Sequence, residues 1–376
     1  MSNRRLEGPL ALYVHWPFCV SKCPYCDFNS HVRESIDQAA WREALLKDLA
    51  WEAEAWPAGP IASIFFGGGT PSLMEPATVA AMIGAAERQW GLEPGVEITL
   101  EANPSSVEAA RFADLAAAGV NRVSLGLQSL DDAALRFLGR AHDSAEGLAA
   151  LETAQRCFGR VSFDLIYALP EQDEGAWAAQ LERALGFGTG HLSLYQLTIE
   201  PGTRFAAMAA RGELEGRDPD EAAALYELTQ ELTASAGLPA YEISNHARPG
   251  EESRHNLAYW RYRPYLGVGP GAHGRRGGTA TQRHRKPENW LSALERNGHG
   301  LCEETALSVE EQSTEALLMG LRLSEGVEME AVESRLDLAA VGRLEGHGLV
   351  KRADGRLVVA PAGRLLLDAI LAEIVL

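Results

Sequence analysis

Six short runs rich in β-branched and aromatic residues punctuate the first half of the chain, and a longer amphipathic stretch follows nearly every one. The runs are Leu10–Val14, Ile61–Phe66, Glu97–Leu100, Arg122–Leu127, Val161–Ile166 and His191–Leu197. Between them, Asp37–Trp56, Pro76–Trp90, Val107–Ala118, Ala145–Cys157 and Gly175–Phe187 carry apolar residues at helical spacing. Strands that alternate with helices at this spacing predict βα units around a parallel sheet. Six units suit an open, partial (β/α)6 barrel better than a closed eight-stranded one, with a doubly wound sheet as the competing α/β architecture.

Polar and glycine residues stand where these runs end. Gly67-Gly68-Gly69-Thr70-Pro71 follows the second run, Glu101-Ala102-Asn103-Pro104 the third, and Gln128-Ser129 the fourth. Asp164 lies in the fifth run, and the sixth leads into Tyr195-Gln196. Parallel α/β folds build their sites at C-terminal strand ends, so five such ends predict one site at one mouth. Beyond about residue 237 the pattern breaks. Tyr241–Gly274 reads as irregular, helical patterns return from Pro287 and over Val309–Leu323, and Leu349–Val359 reads as a hairpin about Asp354-Gly355. A closing helix over Ala362–Leu376 completes a helical, winged-helix-like C-terminal domain. The expected organisation is a barrel over residues 1–237, a connecting segment over 238–300 and the C-terminal domain over 301–376.

Composition narrows the function. The 376 residues are 46% hydrophobic and 23% charged, ordinary for a globular chain, and no apolar run approaches the roughly 20 residues that span a bilayer. The apolar stretch after Arg4-Arg5 is too short for a signal segment, so a cytoplasmic protein is expected. A net charge of −18 argues against nucleic acid as a partner, and basic residues Lys351, Arg352 and Arg356 read as a solvated wing. Three of the five cysteines fall within eight residues, where a reducing compartment disfavours disulfides and clustered thiols suggest a metal or redox centre. Cys157 and Cys302 stand alone and read as buried structural thiols.

The cluster is Cys19-Val-Ser-Lys-Cys23-Pro-Tyr-Cys26, in the loop after the first run. Three thiolates so placed can hold three irons of a cubane and leave the fourth iron open to an external ligand. The same thiols with His15 or His31 would alternatively make a zinc site. This C-x3-C-x2-C spacing resembles the hallmark of the radical S-adenosylmethionine superfamily, and more narrowly its coproporphyrinogen dehydrogenase-like branch. The residues that carry the resemblance are Tyr13-Val-His15-Trp-Pro17-Phe18-Cys19, Cys23-Pro-Tyr-Cys26-Asp-Phe-Asn-Ser30, Gly67-Gly-Gly-Thr-Pro-Ser72 and Gly119–Ser129. Asp164-Leu-Ile-Tyr-Ala-Leu-Pro170 and His255-Asn-Leu-Ala-Tyr-Trp260 extend it over most of the chain. Ala168 departs from the branch, which usually has Gly there.

The resemblance implies a [4Fe-4S] cluster on Cys19, Cys23 and Cys26. It also implies an S-adenosylmethionine site drawn from Tyr13, Tyr25, Gly68, Gly69, Thr70, Glu101, Gln128, Arg140 and Asp164. The chemistry of these residues is compatible: glycines admit a ligand to the backbone, though they equally make a tight connection. Glu101 can accept from ribose hydroxyls, Arg140 can pair with a carboxylate, and Tyr13 and Tyr25 flank the cluster. His255, Asn256, Tyr259 and Trp260 resemble the motif with which haem chaperones of this branch bind haem. There an imidazole can ligate iron and aromatic rings can face a porphyrin. His246 and His273 are alternative ligands.

The expected function is therefore that of a haem chaperone, which binds cluster, S-adenosylmethionine and haem and passes haem to an acceptor protein. Membrane association would come only through that acceptor. Whether the chain is an enzyme stays open. The alternative is oxygen-independent coproporphyrinogen III dehydrogenase, which decarboxylates propionates through a 5′-deoxyadenosyl radical. Two features separate the readings. The dehydrogenase usually has a fourth cysteine where this chain has Phe28, and a longer segment ahead of the cluster than the 18 residues before Cys19.

Overall fold

A computed structural model describes residues 10–57 and 59–376; the Arg4-Arg5 pair lies outside the described residues. The six runs form six parallel strands, β1 (Leu10–Trp16), β2 (Ile61–Gly68), β3 (Leu92–Ala102), β4 (Arg122–Gln128), β5 (Arg160–Tyr167) and β6 (His191–Gln196). They pair in sequential order, β1 through β6, which is the order of a barrel rather than of a doubly wound sheet. The sheet does not close among the described residues, and the expected α/β partial barrel is what is observed.

Period-two alternation explains why these strands curl. Leu12, Val14 and Trp16 of β1, with Ile64 and Phe66 of β2 and Val123, Leu125 and Leu127 of β4, are almost fully buried in one apolar layer beneath the helices. Trp16 meets Trp41 of the helix Gln38–Ala55 edge to face, 6.1 Å between ring centroids. The intervening residues face the barrel interior and are mostly polar: Tyr13 and His15, Ser63, Glu97 and Thr99, Arg122 and Ser124, Ser162 and Asp164, His191 and Ser193. Aspartates and hydroxyls start the helices as N-caps, among them Asp37, Asp143, Asp173 and Ser253.

The segment expected to be irregular is not. Asn245–Ala247 adds antiparallel to β6, and Tyr265–Val268 adds parallel to β1 at the opposite edge. A meander of His273–Arg276, Thr279–Arg283 and Leu301–Ala306 extends the sheet to eleven strands. These strands are three to six residues long and gain their pairing from the barrel edges, so local pattern carries no sign of them. Arg283, Asp48 and Glu52, all fully buried, clamp the meander to the first helix through contacts of 2.6 and 2.7 Å. The helix Arg254–Trp260 lies across the N-terminal ends of the strands. Its first turn is held by Glu97, which accepts from the His255 N–H at 3.2 Å and itself pairs with Arg160 at 2.6 Å.

Three smaller expectations are corrected. Val107–Ala118 is two short helices, Ser106–Ala109 and Phe112–Ala117, because Glu108 turns inward to the N–H of Asn103 and to Ser72, while Arg111 reaches the Met74 carbonyl. The closing helix begins as a 3₁₀ turn over Pro361–Leu366 before Leu367–Ile374. Cys302 is exposed, since its strand is the uncovered edge of the sheet, and Cys157 is only half-buried. The hairpin forms as expected, Val350–Ala353 with Arg356–Val359, and both turn residues take positive φ. With Val327–Glu328 it makes a three-stranded sheet that packs with helices Val309–Gly320, Leu338–Gly346 and Leu367–Ile374 around a second apolar cluster.

Ala168 sits at φ +56°, just past the end of β5. This left-handed conformation is one that glycine adopts without cost and alanine tolerates at about 1–2 kcal/mol. Ala168→Val, although apolar and close in size, is therefore expected to lower stability by roughly 1–3 kcal/mol in urea unfolding. Ala168→Gly should stay within about 1 kcal/mol of the parent, because relief of strain offsets the greater freedom of the unfolded chain. Equal stability of the valine variant and the parent would contradict this account.

Candidate functional site

The cysteine loop is built onto the sheet rather than hung from it. Phe18-Cys19 pairs parallel with His31-Val32, and the Cys26 N–H donates to the Cys23 carbonyl at 3.2 Å, closing a turn with Pro24 in its second place. Beyond β2, the N–H of Gly69 donates to Trp16 O at 2.7 Å and that of Thr70 to Phe18 O at 2.8 Å. The glycine strand end thus runs directly beneath the loop. A Cβ on Gly69 would lie 2.6 Å from the Phe18 carbonyl oxygen, and one on Gly68 (φ +117°) 2.6 Å from the His15 ring. Only glycine permits this approach.

Above these strand ends lies a cavity of about 960 Å³. Cys19, Cys23 and Cys26 line it, all three thiols free, together with Tyr25, Gly68, Gly69, Thr70, Glu101, Gln128, Arg140 and Asp164. The C-terminal strand ends therefore do converge on one mouth. Among the described residues no three His, Cys, Asp or Glu side chains converge on a single-ion site, an arrangement that thiolates on three separate irons do not require. His15 is committed elsewhere, with Nδ1 at 2.9 Å from the Tyr13 hydroxyl and Nε2 at 2.9 Å from Asn29 O.

Side chains around the thiols form a connected set. Thr70 Oγ1 donates to Cys19 Sγ at 3.5 Å and accepts from Asn103 Nδ2 at 3.1 Å. Arg140 donates to Cys23 Sγ at 3.3 Å, to Asn103 Oδ1 at 2.6 Å and to the Gly126 carbonyl at 3.0 Å, while its buried Nε has no partner among the described residues. Besides the ligand carboxylate with which it can pair, Arg140 stands against a thiol. Asn103, which the sequence marks only as part of the polar end of the third run, joins this set just past the end of β3. Gln128 takes φ +66° at a register shift between β4 and β5, a strained backbone that aims its side chain towards Gly126. Burial pushes the Cys19 and Cys26 thiols up, so a metal would have to draw the protons off.

Tyr13 does not line this cavity. It borders a second one of about 360 Å³, with His15, Phe28, Asn29, Gly68, Glu101, Tyr259, Tyr265, Gly271, His273 and Arg285. Gly68, Glu101 and Phe28 are shared by both cavities, and Gly68 N–H donates to Glu101 Oε2 at 3.2 Å.

The four residues expected at haem fall on two faces of one helix. His255 is 1% exposed, its ring stacked on Phe65 at 4.9 Å, with Nδ1 at 3.1 Å from Ser63 Oγ and Nε2 at 3.2 Å from Tyr259 OH. Burial, and secondarily Arg122, push it down to about 3, so the imidazole is neutral but fully engaged. Tyr259, one turn on, touches Tyr265. Asn256 instead meets the Tyr241 hydroxyl, and Trp260 lies under Arg322. Of the four, only Tyr259 lines either of these two cavities. The alternative His246 is fully buried against Gln230, whereas His273 is exposed.

A partial parallel barrel with a three-cysteine loop over its mouth is the architecture of a radical S-adenosylmethionine protein. The family model "Radical SAM superfamily" matches residues 13–182, and "HemN C-terminal domain" matches 307–366. The chain is 44% identical over 326 residues to "Radical S-adenosyl methionine domain-containing protein 1, mitochondrial" of Bos taurus, covering 84% of this chain and 74% of that one. It is 35% identical over 369 residues to "Heme chaperone HemW" of Mycobacterium tuberculosis, covering 96% and 94%. Coproporphyrinogen III oxidase (HemN) from Escherichia coli shares the fold with a TM-score of 0.81 at 23% identity, over 98% of this chain and 91% of that one. The chain belongs to the radical S-adenosylmethionine superfamily, in the coproporphyrinogen dehydrogenase-like branch that includes the HemW proteins.

Two carboxyls in the mouth carry a pH signature. Burial, reinforced by Asp164, pushes Glu101 up to about 8 against the pull of the Gly68 N–H, and burial pushes Asp164 up to about 6. Both bind a proton more tightly folded than unfolded, so their contribution to stability is present at low pH and lost as pH rises through the folded values. Stability of the ligand-free protein should fall between about pH 5 and about pH 8, and Glu101→Gln should flatten that slope. Chemical unfolding at several pH values measures it; an unchanged slope in the variant would remove Glu101 as its source.

Proposed function

We propose that this protein is a haem chaperone: it carries a [4Fe-4S] cluster and S-adenosylmethionine at the barrel mouth, binds haem and passes it to an acceptor protein. What carries the reading is full-length similarity to proteins named "Heme chaperone HemW", combined with a mouth in which three free thiols share one cavity with Glu101 and Arg140. In this reading Cys19, Cys23 and Cys26 hold the cluster, which when bound supplies an open coordination position and one-electron reduction.

The chain's own residues do the rest. Gly68 and Gly69 admit the ligand to the strand-end backbone, and the Thr70 and Arg140 donors at Cys19 and Cys23 stabilise thiolate charge. Glu101 and Gln128 are placed to accept from and donate to ribose and base, and Asp164 adds an acceptor held by Ser124 at 3.3 Å. Phe28, not a thiol, closes the rim, which favours cargo binding over the dehydrogenase reaction. Residues 1–237 would carry cluster and S-adenosylmethionine and 238–300 would contribute to haem binding; of the expected unit 301–376, Leu301–Ala306 belongs to the large sheet, and the rest would form the small C-terminal unit. In this reading the chaperone works in the cytoplasm and meets membranes only through its acceptor; among the described residues no helix is long and apolar enough to cross a membrane.

Cys19→Ala, Cys23→Ala and Cys26→Ala should each abolish the cluster after anaerobic reconstitution, whereas Cys157→Ala and Cys302→Ala should leave iron and sulfide content unchanged. A triad variant with full iron and sulfide would overturn the ligand assignment. Glu101→Ala should weaken S-adenosylmethionine binding by about 1.5–3 kcal/mol, the worth of a charged hydrogen bond. The parent protein should show weak or no coproporphyrinogen decarboxylation; robust product formation would favour the dehydrogenase instead.

A further inference from the structure

The helix that carries the haem-like motif offers iron no free imidazole: both nitrogens of His255 are taken, and its ring is packed on Phe65. The second cavity does offer one. Of its two histidines, His15 is 5% exposed and hydrogen-bonded through both nitrogens, and burial pushes it down to about 4. His273, at the start of the strand His273–Arg276, is exposed, and neither ring nitrogen has a hydrogen-bond partner among the described residues.

Three further features of this cavity call for a flat, apolar, anionic occupant. Its walls include the rings of Tyr13, Tyr259 and Tyr265, the last two in edge contact at 4.3 Å. Phe28 on the rim is 60% exposed, an unusual state for a phenylalanine with no apolar cover. Arg285 is exposed and makes no side-chain hydrogen bond or ion pair among the described residues, so its guanidinium is open to a carboxylate. An open imidazole for a metal, aromatic walls for a macrocycle and an open guanidinium for carboxylates together match one ligand, a metalloporphyrin with propionates. The volume of about 360 Å³ suits partial enclosure, with one edge left outside, as cargo awaiting transfer requires.

We propose that haem binds in this second cavity with His273 as its axial iron ligand and Arg285 at a propionate, while His255 is a positioning residue that holds Tyr259 in the cavity wall. This rests on the haem-chaperone reading but names a site and a ligand beyond it. The shared wall of Gly68 and Glu101 then places haem directly behind the S-adenosylmethionine pocket.

The test uses the full-length protein titrated with hemin and, separately, with iron-free protoporphyrin IX. For His273→Ala, the expected result is at least about a tenfold loss of hemin affinity and a shifted Soret band. Added imidazole should restore the band, and affinity for the iron-free porphyrin should match the parent. Arg285→Ala should weaken both porphyrins. His255→Gln, verified as folded by circular dichroism, loses the contact that holds Tyr259 and should weaken hemin and the iron-free porphyrin alike, while bound hemin keeps the parent Soret position. A folded His273→Ala with unchanged hemin affinity and spectrum would overturn the site, as would loss of the parent spectrum in folded His255→Gln alone. If the parent itself binds no hemin, it is the chaperone reading that fails.

Discussion

The structure depends on how a barrel with a polar interior satisfies its buried groups. One face of each strand is apolar and covered by helices, but the other brings Glu97, Arg122, Ser162, His191 and their neighbours into a space that water cannot freely fill. Buried polar groups without partners are costly, on the order of 1–3 kcal/mol each. The chain answers with its own residues 240–260. Tyr241 meets His191 at 3.0 Å, His255 meets Ser63, and the carboxylate of Glu97 joins the helix start to Arg160. The plug at the N-terminal end is thus a structural necessity, and it leaves the opposite end open.

That division of labour orders the site. At the open end the glycine-rich end of β2 hydrogen-bonds to residues 16 and 18, so the cysteine loop inherits the rigidity of two parallel strands. Arg140 then ties Cys23 to Asn103 and to the Gly126 carbonyl, linking the loop to two more strand ends. Glu101 and Asp164, kept partly protonated by burial, sit deeper in the same mouth. A charged ligand entering here meets groups whose protonation its own charge can reset.

The haem-like motif shows how a sequence signature and a binding surface can diverge. Its four residues lie on one helix, yet they part company: His255 and Tyr259 pack together against Phe65 and Tyr265, Asn256 meets the Tyr241 hydroxyl, and Trp260 lies under Arg322. The helix transmits its effect through Tyr259, which reaches a cavity completed by residues from the β1 loop and the added meander.

Much of this was legible in the chain alone. Six β-branched runs with helical stretches between them specified a parallel sheet, because periods of 2 and 3.6 report which face each residue buries. The C-x3-C-x2-C loop and the polar strand ends marked the mouth, since strand alternation and βα connectivity bring such ends to one side. The strands between residues 245 and 306 were not legible, although the helix from Pro287 was. These strands are short and owe their existence to barrel edges about 50 positions away at β6 and about 250 at β1, and the clamp of Arg283 on Asp48 and Glu52 joins residues over 230 apart. For the same reason, only the tertiary structure decided that His255 is enclosed while His273 stands open, because burial is set by what packs against a side chain and not by its neighbours in sequence.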